Sequence, residues 1–243
     1  MIELLFLLIE GGRMKAATIA GRTALVAAAI AVGLGAGAAP AAASATNTSS
    51  KTFAGYSAAV TGAVTVTTNF KLEAITCTAT SQGIAPGIVL SGSTSVAAAT
   101  INESCASGTP AYSAVAVING ATTTLAVPAA PGDKISMTVA VSTTGTTVQI
   151  SDVTAHTAKK AVGAGGAPSS LFVGSTALYQ GTTLMGVPTF VSEGFNDTKV
   201  NGAALSTTTP AAVDRVSSTN VVQIKTGKLN TTGVSFRETF KSH

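Results

Sequence analysis

The sequence predicts an all-β protein built as an antiparallel sandwich, and three observations support this class. Only 10% of the 243 residues are charged, none is Trp, and 25 are Gly. A globular domain normally carries about 25% charged residues, so hydroxyl side chains must cover much of this surface. Several segments alternate apolar with polar residues, which is the period of a strand with one buried face. No segment beyond residue 45 sustains helical spacing, so almost no helix is expected.

The clearest strand pattern is a β-hairpin within residues 131–157. Apolar residues alternate with small or polar ones over Ile135–Val141, and Val148 begins the return strand. Gly145 supplies the backbone freedom that a short hairpin turn usually requires. Pro131-Gly132 is typical of the turn that leads into the first strand.

The same pattern predicts further short strands on both sides of this hairpin. These are Phe53–Tyr56, Ala63–Leu72, Ile88–Leu90, Tyr112–Ile118, Thr122–Val127, Leu171–Val173, Ala177–Tyr179, Val187–Phe190 and Val221–Lys225. Asn119-Gly120 favours a tight hairpin turn, whereas residues 161–170 are dominated by Gly and Ala and are predicted to be a loop. About ten strands suit one sandwich, so residues 53–243 are expected to form a single domain after a flexible lead-in, 46–52.

The first 45 residues carry the pattern of an export signal. Residues 14–45 contain two basic residues, an apolar run and the small residues Ala43-Ser44-Ala45, which predicts a signal peptide cleaved after Ala45. Residues 1–13 fit that pattern badly and are interpreted as an upstream extension from a misplaced start. The apolar run is weaker than the ~20 strongly apolar residues of a membrane span. The mature protein is expected to be secreted, extracellular or attached to the cell wall, without membrane contact.

The two cysteines, Cys77 and Cys105, both lie in the part that is expected to be exported. An oxidising compartment favours a disulfide between them. Reactive or metal-binding thiols would need His or acidic neighbours in a motif, and none is present. We therefore predict one disulfide, no metal and no cofactor.

Other common chemistries find little support in the sequence. His156 with Asp152 would need a nucleophilic serine, but no G-x-S-x-G elbow is present, so His156 is interpreted as solvated. The acidic residues are spaced singly and are interpreted as solvated turn or edge charges; they include Glu73, Glu103, Asp133, Asp152, Glu193 and Asp197. Lysines and arginines are scattered, which predicts no nucleic-acid partner.

An ordered set of short motifs resembles a known family. FAGY, ITCT, GTPAY, PGDKISMTV and VPTF followed by VNG occur in this order between Phe53 and Leu205. This order resembles the glutamic peptidases, or eqolisins, and the small secreted actinobacterial proteins similar to them. The resemblance implies a concanavalin A-like, jelly-roll sandwich of two antiparallel sheets whose concave face binds peptide. It also implies that a Glu activates water and a Gln stabilises the oxyanion at acidic pH.

The sequence departs from this family at both catalytic positions. Ala99 stands at the position of the family's Gln and Ser170 at that of its Glu, and neither side chain can perform the chemistry. The Trp residues that line the family's cleft are absent as well. A shift of the alignment by a few residues would instead offer a carboxylate from Glu103 or Glu193. The amide would then come from one of three glutamines, namely Gln82, Gln149 or Gln180.

Three functions from different classes are compatible with these observations. The first is a non-catalytic, monomeric binding protein that holds a peptide or polysaccharide on its concave face, with Tyr112 and Tyr179 as stacking rings. The second is an acid-acting glutamic endopeptidase. The third is a structural protein of the cell wall without a defined ligand. The side chains that line the concave face near Ala99 and Ser170 distinguish among them.

Overall fold

A computed structural model describes residues 47–93, 96–105 and 108–243. The predicted upstream extension, the signal peptide and its cleavage site lie outside the described residues. Within those residues the chain is all-β, as predicted, with a short 3₁₀ turn at Leu205–Thr208 and no α-helix. None of these described segments is a helix that could span a membrane.

The described part of the chain contains eighteen strands. They are β1 (Thr48–Ser50), β2 (Phe53–Ala59), β3 (Val64–Lys71), β4 (Gly83–Ser91), β5 (Val96–Ser104), β6 (Ala111–Ile118), β7 (Ala121–Leu125), β8 (Lys134–Val141), β9 (Thr146–Asp152), β10 (Thr157–Gly163), β11 (Ser170–Ala177), β12 (Tyr179–Gln180), β13 (Thr183–Leu184), β14 (Ser192–Val200), β15 (Ala203–Ala204), β16 (Ala211–Val216), β17 (Val222–Thr226) and β18 (Phe236–Phe240).

Fourteen of these strands form the two layers of a sandwich. Layer one has the order β10-β9-β8-β3-β14-β18-β17, and layer two has the order β16-β2-β11-β4-β5-β6-β7. Every neighbouring pair within the layers is antiparallel, and β4, β5 and β6 face β8, β9 and β10 across the interior. The two layers are joined along one edge, because β16 also pairs with β17. The predicted all-β, jelly-roll-type sandwich is confirmed.

Apolar side chains fill most of the space between the layers. Alternate residues of the predicted central hairpin point into this core, where Ile135, Met137 and Val139 are fully buried. The ring of Phe195 stacks on that of Phe236 with 4.8 Å between ring centroids. Aromatic pairs of this kind add to the stabilisation from area burial alone. The alternation read from the sequence therefore identified the core face of these strands.

Three glycines lie side by side on neighbouring strands of layer two. Gly174 pairs with Gly55 on one side and with Gly87 on the other. The φ of Gly174 is +145°, and a Cβ there would overlap the Ala54 carbonyl oxygen and a carboxyl oxygen of Glu238. Only glycine fits this position without strain.

The predicted disulfide between Cys77 and Cys105 is present, with 5.5 Å between the Cα atoms. It ties the segment between β3 and β4 to the end of β5. Replacing both cysteines with serine should lower stability by about 3–4 kcal/mol, since the unfolded chain regains the freedom of a 28-residue loop. Thermal unfolding of the two proteins measures the loss. An unchanged midpoint would show that the bridge adds no stability.

The strand predictions failed in two places and were incomplete in others. Residues 161–163, predicted as loop, complete β10 instead. The predicted strand at Val187–Phe190 is absent, and only Thr189 forms a bridge, with Thr76. Strands β5, β10, β14, β16 and β18 were not predicted. The last three carry charged residues that break the apolar alternation, and on each of them at least one charged side chain is buried, namely Glu193, Arg215 and Glu238.

Candidate functional site

The outer face of layer two can be identified from the way its side chains alternate. In β5, Ala97, Ala99 and Ile101 join the core between the layers, whereas Ala98 packs in a separate cluster on the other side. In β11, Leu171 and Val173 face the core, and Phe172 joins the outer cluster. We call the surface formed by β11, β4, β5, β6 and β7 on this side the outer face.

One row of the outer face is apolar. Phe172, Val89, Ala98 and Val117 lie next to one another on four successive strands. The Phe172 ring makes an edge-to-face contact with Phe53, with centroids 5.3 Å apart. Val89, Ala98 and Val117 are only 7%, 0% and 0% exposed, so these three side chains are buried. Phe172, at the margin of the row, is partly exposed. Its aromatic ring suits a contact with an extended chain.

The adjoining part of the outer face is rich in hydroxyl and amide groups. A cavity of about 120 Å³ is lined by Asn102, Ser104, Ser113, Val115, Thr122, Thr124 and Leu178. The Thr100 hydroxyl donates a hydrogen bond to Asn102 Oδ1 at 3.2 Å, which orients the amide. None of the residues lining this cavity is a carboxylate. The cavity offers hydrogen bonds to a polar ligand but no general base.

The two positions expected from the family motif do not meet. Ala99 is fully buried and faces the core, whereas Ser170 follows the alternation of Phe172 and lies on the outer face. Ala99 on β5 pairs with Ile88 on β4, and Ile88 pairs with Val173 on β11. Val173 lies three residues after Ser170 on the same strand. The two positions are therefore separated by roughly 10 Å along the strands and roughly 10 Å across them. They could not hold one water molecule between them.

The three glutamines considered as substitutes lie in separate places. Gln82 is buried and held by its surroundings, since its Oε1 accepts from the Thr78 and Ala79 N–H groups and its Nε2 donates to the Val187 carbonyl. Gln149 and Gln180 are exposed on β9 and on the β12–β13 hairpin. Gln82 therefore positions two loops, and none of the three is shown next to a carboxylate.

The two tyrosines predicted to stack on a ligand are placed differently from each other. The Tyr112 hydroxyl accepts a hydrogen bond from the Ile75 N–H at 3.0 Å, and its ring packs against the interior. Tyr179 is partly exposed at the start of the β12–β13 hairpin. Tyr112 is partly exposed as well, and a role in ligand binding stays a prediction for both.

A second polar group of residues lies inside the sandwich. Glu193 on β14 and Glu238 on β18 are direct cross-strand partners, and Glu103 on β5 approaches them from layer two. Their exposed fractions are only 1%, 0% and 1% for Glu193, Glu238 and Glu103. We call these three residues the buried carboxyl cluster. The interpretation of Glu103 and Glu193 as solvated charges was therefore wrong.

Burial raises the pKa of all three carboxyls, because the ionised form loses its hydration. Repulsion from Glu238 and Glu73 adds to this effect at Glu103, and repulsion from Glu103 and Glu238 adds to it at Glu193. The pKa of Glu238 rises to about 8, although the hydrogen bond that the Ser175 N–H donates to Glu238 Oε1 and the charge of Arg215 oppose the rise. The cluster is therefore expected to be protonated in acid.

Arg215 is the buried cation beside this cluster. Its Nη2 donates to the Met185 carbonyl oxygen at 3.0 Å, and only 1% of the residue is exposed. Burial lowers its pKa to about 10, while Tyr179 and Glu238 act in the opposite direction. Of the three carboxyls, only Glu238 has a pKa that the charge of Arg215 lowers. One cation can compensate at most one ionised carboxylate, so all three cannot be ionised without uncompensated buried charge.

Asp152 and His156 do not form a catalytic pair. Asp152 is buried, and its Oδ1 accepts from the Thr154 and Ala155 N–H groups at 2.8 and 3.0 Å. It therefore orders the turn between β9 and β10 and is not the solvated charge that we expected. His156 is exposed in that turn. No group of three potential metal ligands occurs among the residues that the structure describes.

Comparison with known proteins places the fold more clearly than the sequence does. No protein-family model and no curated protein matches the chain. Scytalido-glutamic peptidase, solved with a transition state analogue inhibitor, matches with a TM-score of 0.67 and 13% identity over 79% of this chain and 98% of that chain. SCP-B, a member of the eqolisin family in complex with the tripeptide Ala-Ile-His, gives 0.61 and 13% over the same shares.

Aspergilloglutamic peptidase from Aspergillus niger also matches, with a TM-score of 0.55 and 15% identity over 66% of this chain and 99% of that chain. At these identities the comparisons show a shared fold. The resemblance to glutamic peptidases that the motifs predicted is confirmed at this level.

Proposed function

We propose that this domain binds a peptide or a polysaccharide on its outer face without cleaving it. The observation that carries the proposal is the composition of that face, which combines the partly exposed Phe172 ring with the hydroxyl-lined cavity and has no carboxylate lining it. Apolar and hydrogen-bonding groups can hold an extended polar chain. They cannot activate water as a carboxylate base does.

Relatives in fold support a peptide as one class of ligand. Scytalido-glutamic peptidase was solved with a peptide based transition state analogue, and SCP-B with the tripeptide Ala-Ile-His. A polysaccharide is supported by the hydroxyl-rich lining of the cavity and by the aromatic rings of Phe172 and Tyr179, since sugar rings also stack on aromatic side chains. Both ligand classes fit the same surface.

An acid endopeptidase is the second candidate function, and the buried carboxyl cluster is the observation that favours it. Glu103 and Glu193 have raised pKa values, as an acid-acting enzyme needs. However, 1% exposure leaves no path for a substrate to either carboxyl. Proteolysis would require the sandwich to open, and we therefore place this candidate second.

The domain is also proposed to act outside the cytoplasm as a monomer. The disulfide between Cys77 and Cys105 supports an oxidising compartment. A surface in which hydroxyl groups replace charges suits an extracellular sandwich.

Binding can be tested with a pool of peptides from acid-digested casein and with soluble β-glucan as separate probes. We expect Phe172→Ala and Asn102→Ala each to weaken binding of whichever probe binds, by roughly tenfold, because they remove a ring and an oriented amide from the outer face. Isothermal titration calorimetry measures the affinities. Val153→Ala and Asn196→Ala are matched controls, since both residues are exposed and lie away from the outer face, Asn196 on β14 and Val153 in the turn between β9 and β10.

Equal losses in the control variants and the outer-face variants would contradict the proposed surface. Binding of neither probe would favour a structural protein without a defined ligand. Cleavage of the peptides would favour the endopeptidase.

A further inference from the structure

The interior of the sandwich contains acceptor oxygens that lack donors. Glu103 Oε1, Glu193 Oε1 and Glu238 Oε2 are buried and have no hydrogen-bond partner within the described residues. An ionised carboxylate offers only acceptors, whereas a protonated carboxyl also carries an O–H donor. The buried donors Arg215 Nε, Arg215 Nη1 and Ser175 Oγ also lack a partner among those residues, so none of them reaches these three oxygens. Protonation would supply an O–H donor inside the cluster itself. Ionisation would place like charges on directly opposed residues of β14 and β18.

We propose that the buried carboxyl cluster makes the folded domain dependent on acid, so that the two layers stay closed over Glu103, Glu193 and Glu238 while these are protonated and loosen there when they ionise. The inference concerns the interior of the domain and does not depend on the proposed ligand. It implies a protein that is most stable in an acidic medium.

The other charged and titratable groups around the cluster do not neutralise it. Glu73, next to β3, adds a further negative charge, and Tyr112 on β6 faces Glu103 and Glu193 with a hydroxyl whose pKa is raised by burial. Arg215 on β16 is the one cation that acts on Glu238 among the described groups, and Tyr179 lies near it. Three ionised carboxyls would therefore exceed the available positive charge.

The direction of the pH dependence follows from proton binding. The pKa of Glu238 is about 8 in the folded protein against an ordinary value of 4.5, so the folded state holds its proton more tightly than the unfolded chain. Between these two values the folded state binds more protons than the unfolded state. Stability must then fall as the pH rises through this window, and it is fully present only below it. Glu103 and Glu193 shift in the same direction.

The test is the thermal midpoint of the full chain measured from pH 4 to pH 9. We expect the midpoint to fall by roughly 10 °C over this range. Glu238→Gln should flatten the profile and raise the midpoint at pH 8.5 above that of the unsubstituted protein, because glutamine stays neutral. Asp197→Asn removes an exposed carboxyl from the same strand as Glu193 and should leave the profile parallel to the original.

A midpoint that does not fall with pH would overturn the proposal, as would a Glu238→Gln profile that runs parallel to the original. If Glu238→Gln fails to fold, the proposal can still be tested by measuring the protons that the unsubstituted protein releases or takes up when it unfolds. Unfolding it with urea at pH 6.5 in weak buffer should release about one proton or more to the solution. No release, or an uptake of protons, would contradict an acid-dependent interior.

Discussion

The purified protein is expected to leave denatured protein substrates uncleaved at every pH from 2 to 7. The outer face offers no carboxylate to activate water. Its side chains are those of Val96, Ala98, Thr100, Asn102 and Ser104 on β5 and of Ser170, Phe172 and Thr176 on β11. Asn102 is the one amide among them, and it has no carboxylate as a partner. Loss of a general base typically costs about 100- to 10,000-fold in rate. That loss should leave no measurable cleavage.

Mass spectrometry of the substrate after long incubation measures this result, with an acid endopeptidase as the positive control for the substrate. Acid proteolysis that copurifies with the protein and disappears in Glu193→Gln would contradict us. Such a result would show that the buried carboxyl cluster reaches the substrate.

The structure also shows where a glutamine would have to be introduced in an attempt to create peptidase activity. Ala99→Gln would place an amide in the apolar core, where it would cost about 1–3 kcal/mol or more without a hydrogen-bond partner. Thr100→Gln would instead project the amide from the outer face. Neither variant is expected to cleave substrate, because no carboxylate lies beside either position.

Gly174→Ala is expected to destabilise the domain severely. Alanine would be strained at a φ of +145°, and its Cβ would overlap the Ala54 carbonyl oxygen of the neighbouring strand. Backbone strain of this kind costs about 1–3 kcal/mol, and overpacking adds about 1–3 kcal/mol. The thermal midpoint should fall by roughly 10 °C, or the protein should fail to fold.

Gly202→Ala is the matched control for this prediction. Gly202 also has a positive φ, +81°, but a Cβ there would meet no atom within 4 Å. The control isolates backbone strain and should cost only about 1–3 kcal/mol. Equal losses in the two variants would show that close packing at the three glycines does not matter.

Much of the fold could be predicted because most strands follow simple alternation. The hairpin of β8 and β9 was evident, since its core residues alternate with polar ones and its turn contains Gly145. The disulfide could be predicted because only two cysteines are present. These features depend on local sequence, which can be read directly.

The site could be predicted only in part, because its key residues break the usual rules. Strands β14, β16 and β18 turn Glu193, Arg215 and Glu238 inward, whereas charged residues normally mark the solvent side. Because of these charged residues, neither the three strands nor the buried carboxyl cluster could be predicted from the sequence. The sequence also could not show which face of the sheet Ala99 lies on, since shifting the register of a strand by one residue moves each side chain to the other face.

Hydrogen exchange with and without a bound probe tests the central claim, that ligands bind on the outer face and are not cleaved there. The measurement should use whichever probe binds, either the casein peptide pool or β-glucan, followed by mass spectrometry of the recovered probe. We predict slower exchange in β5, β6 and β11, no ligand-dependent change in β14 or β18, and a probe recovered intact. Protection confined to β14 and β18, or a cleaved probe, would contradict the account.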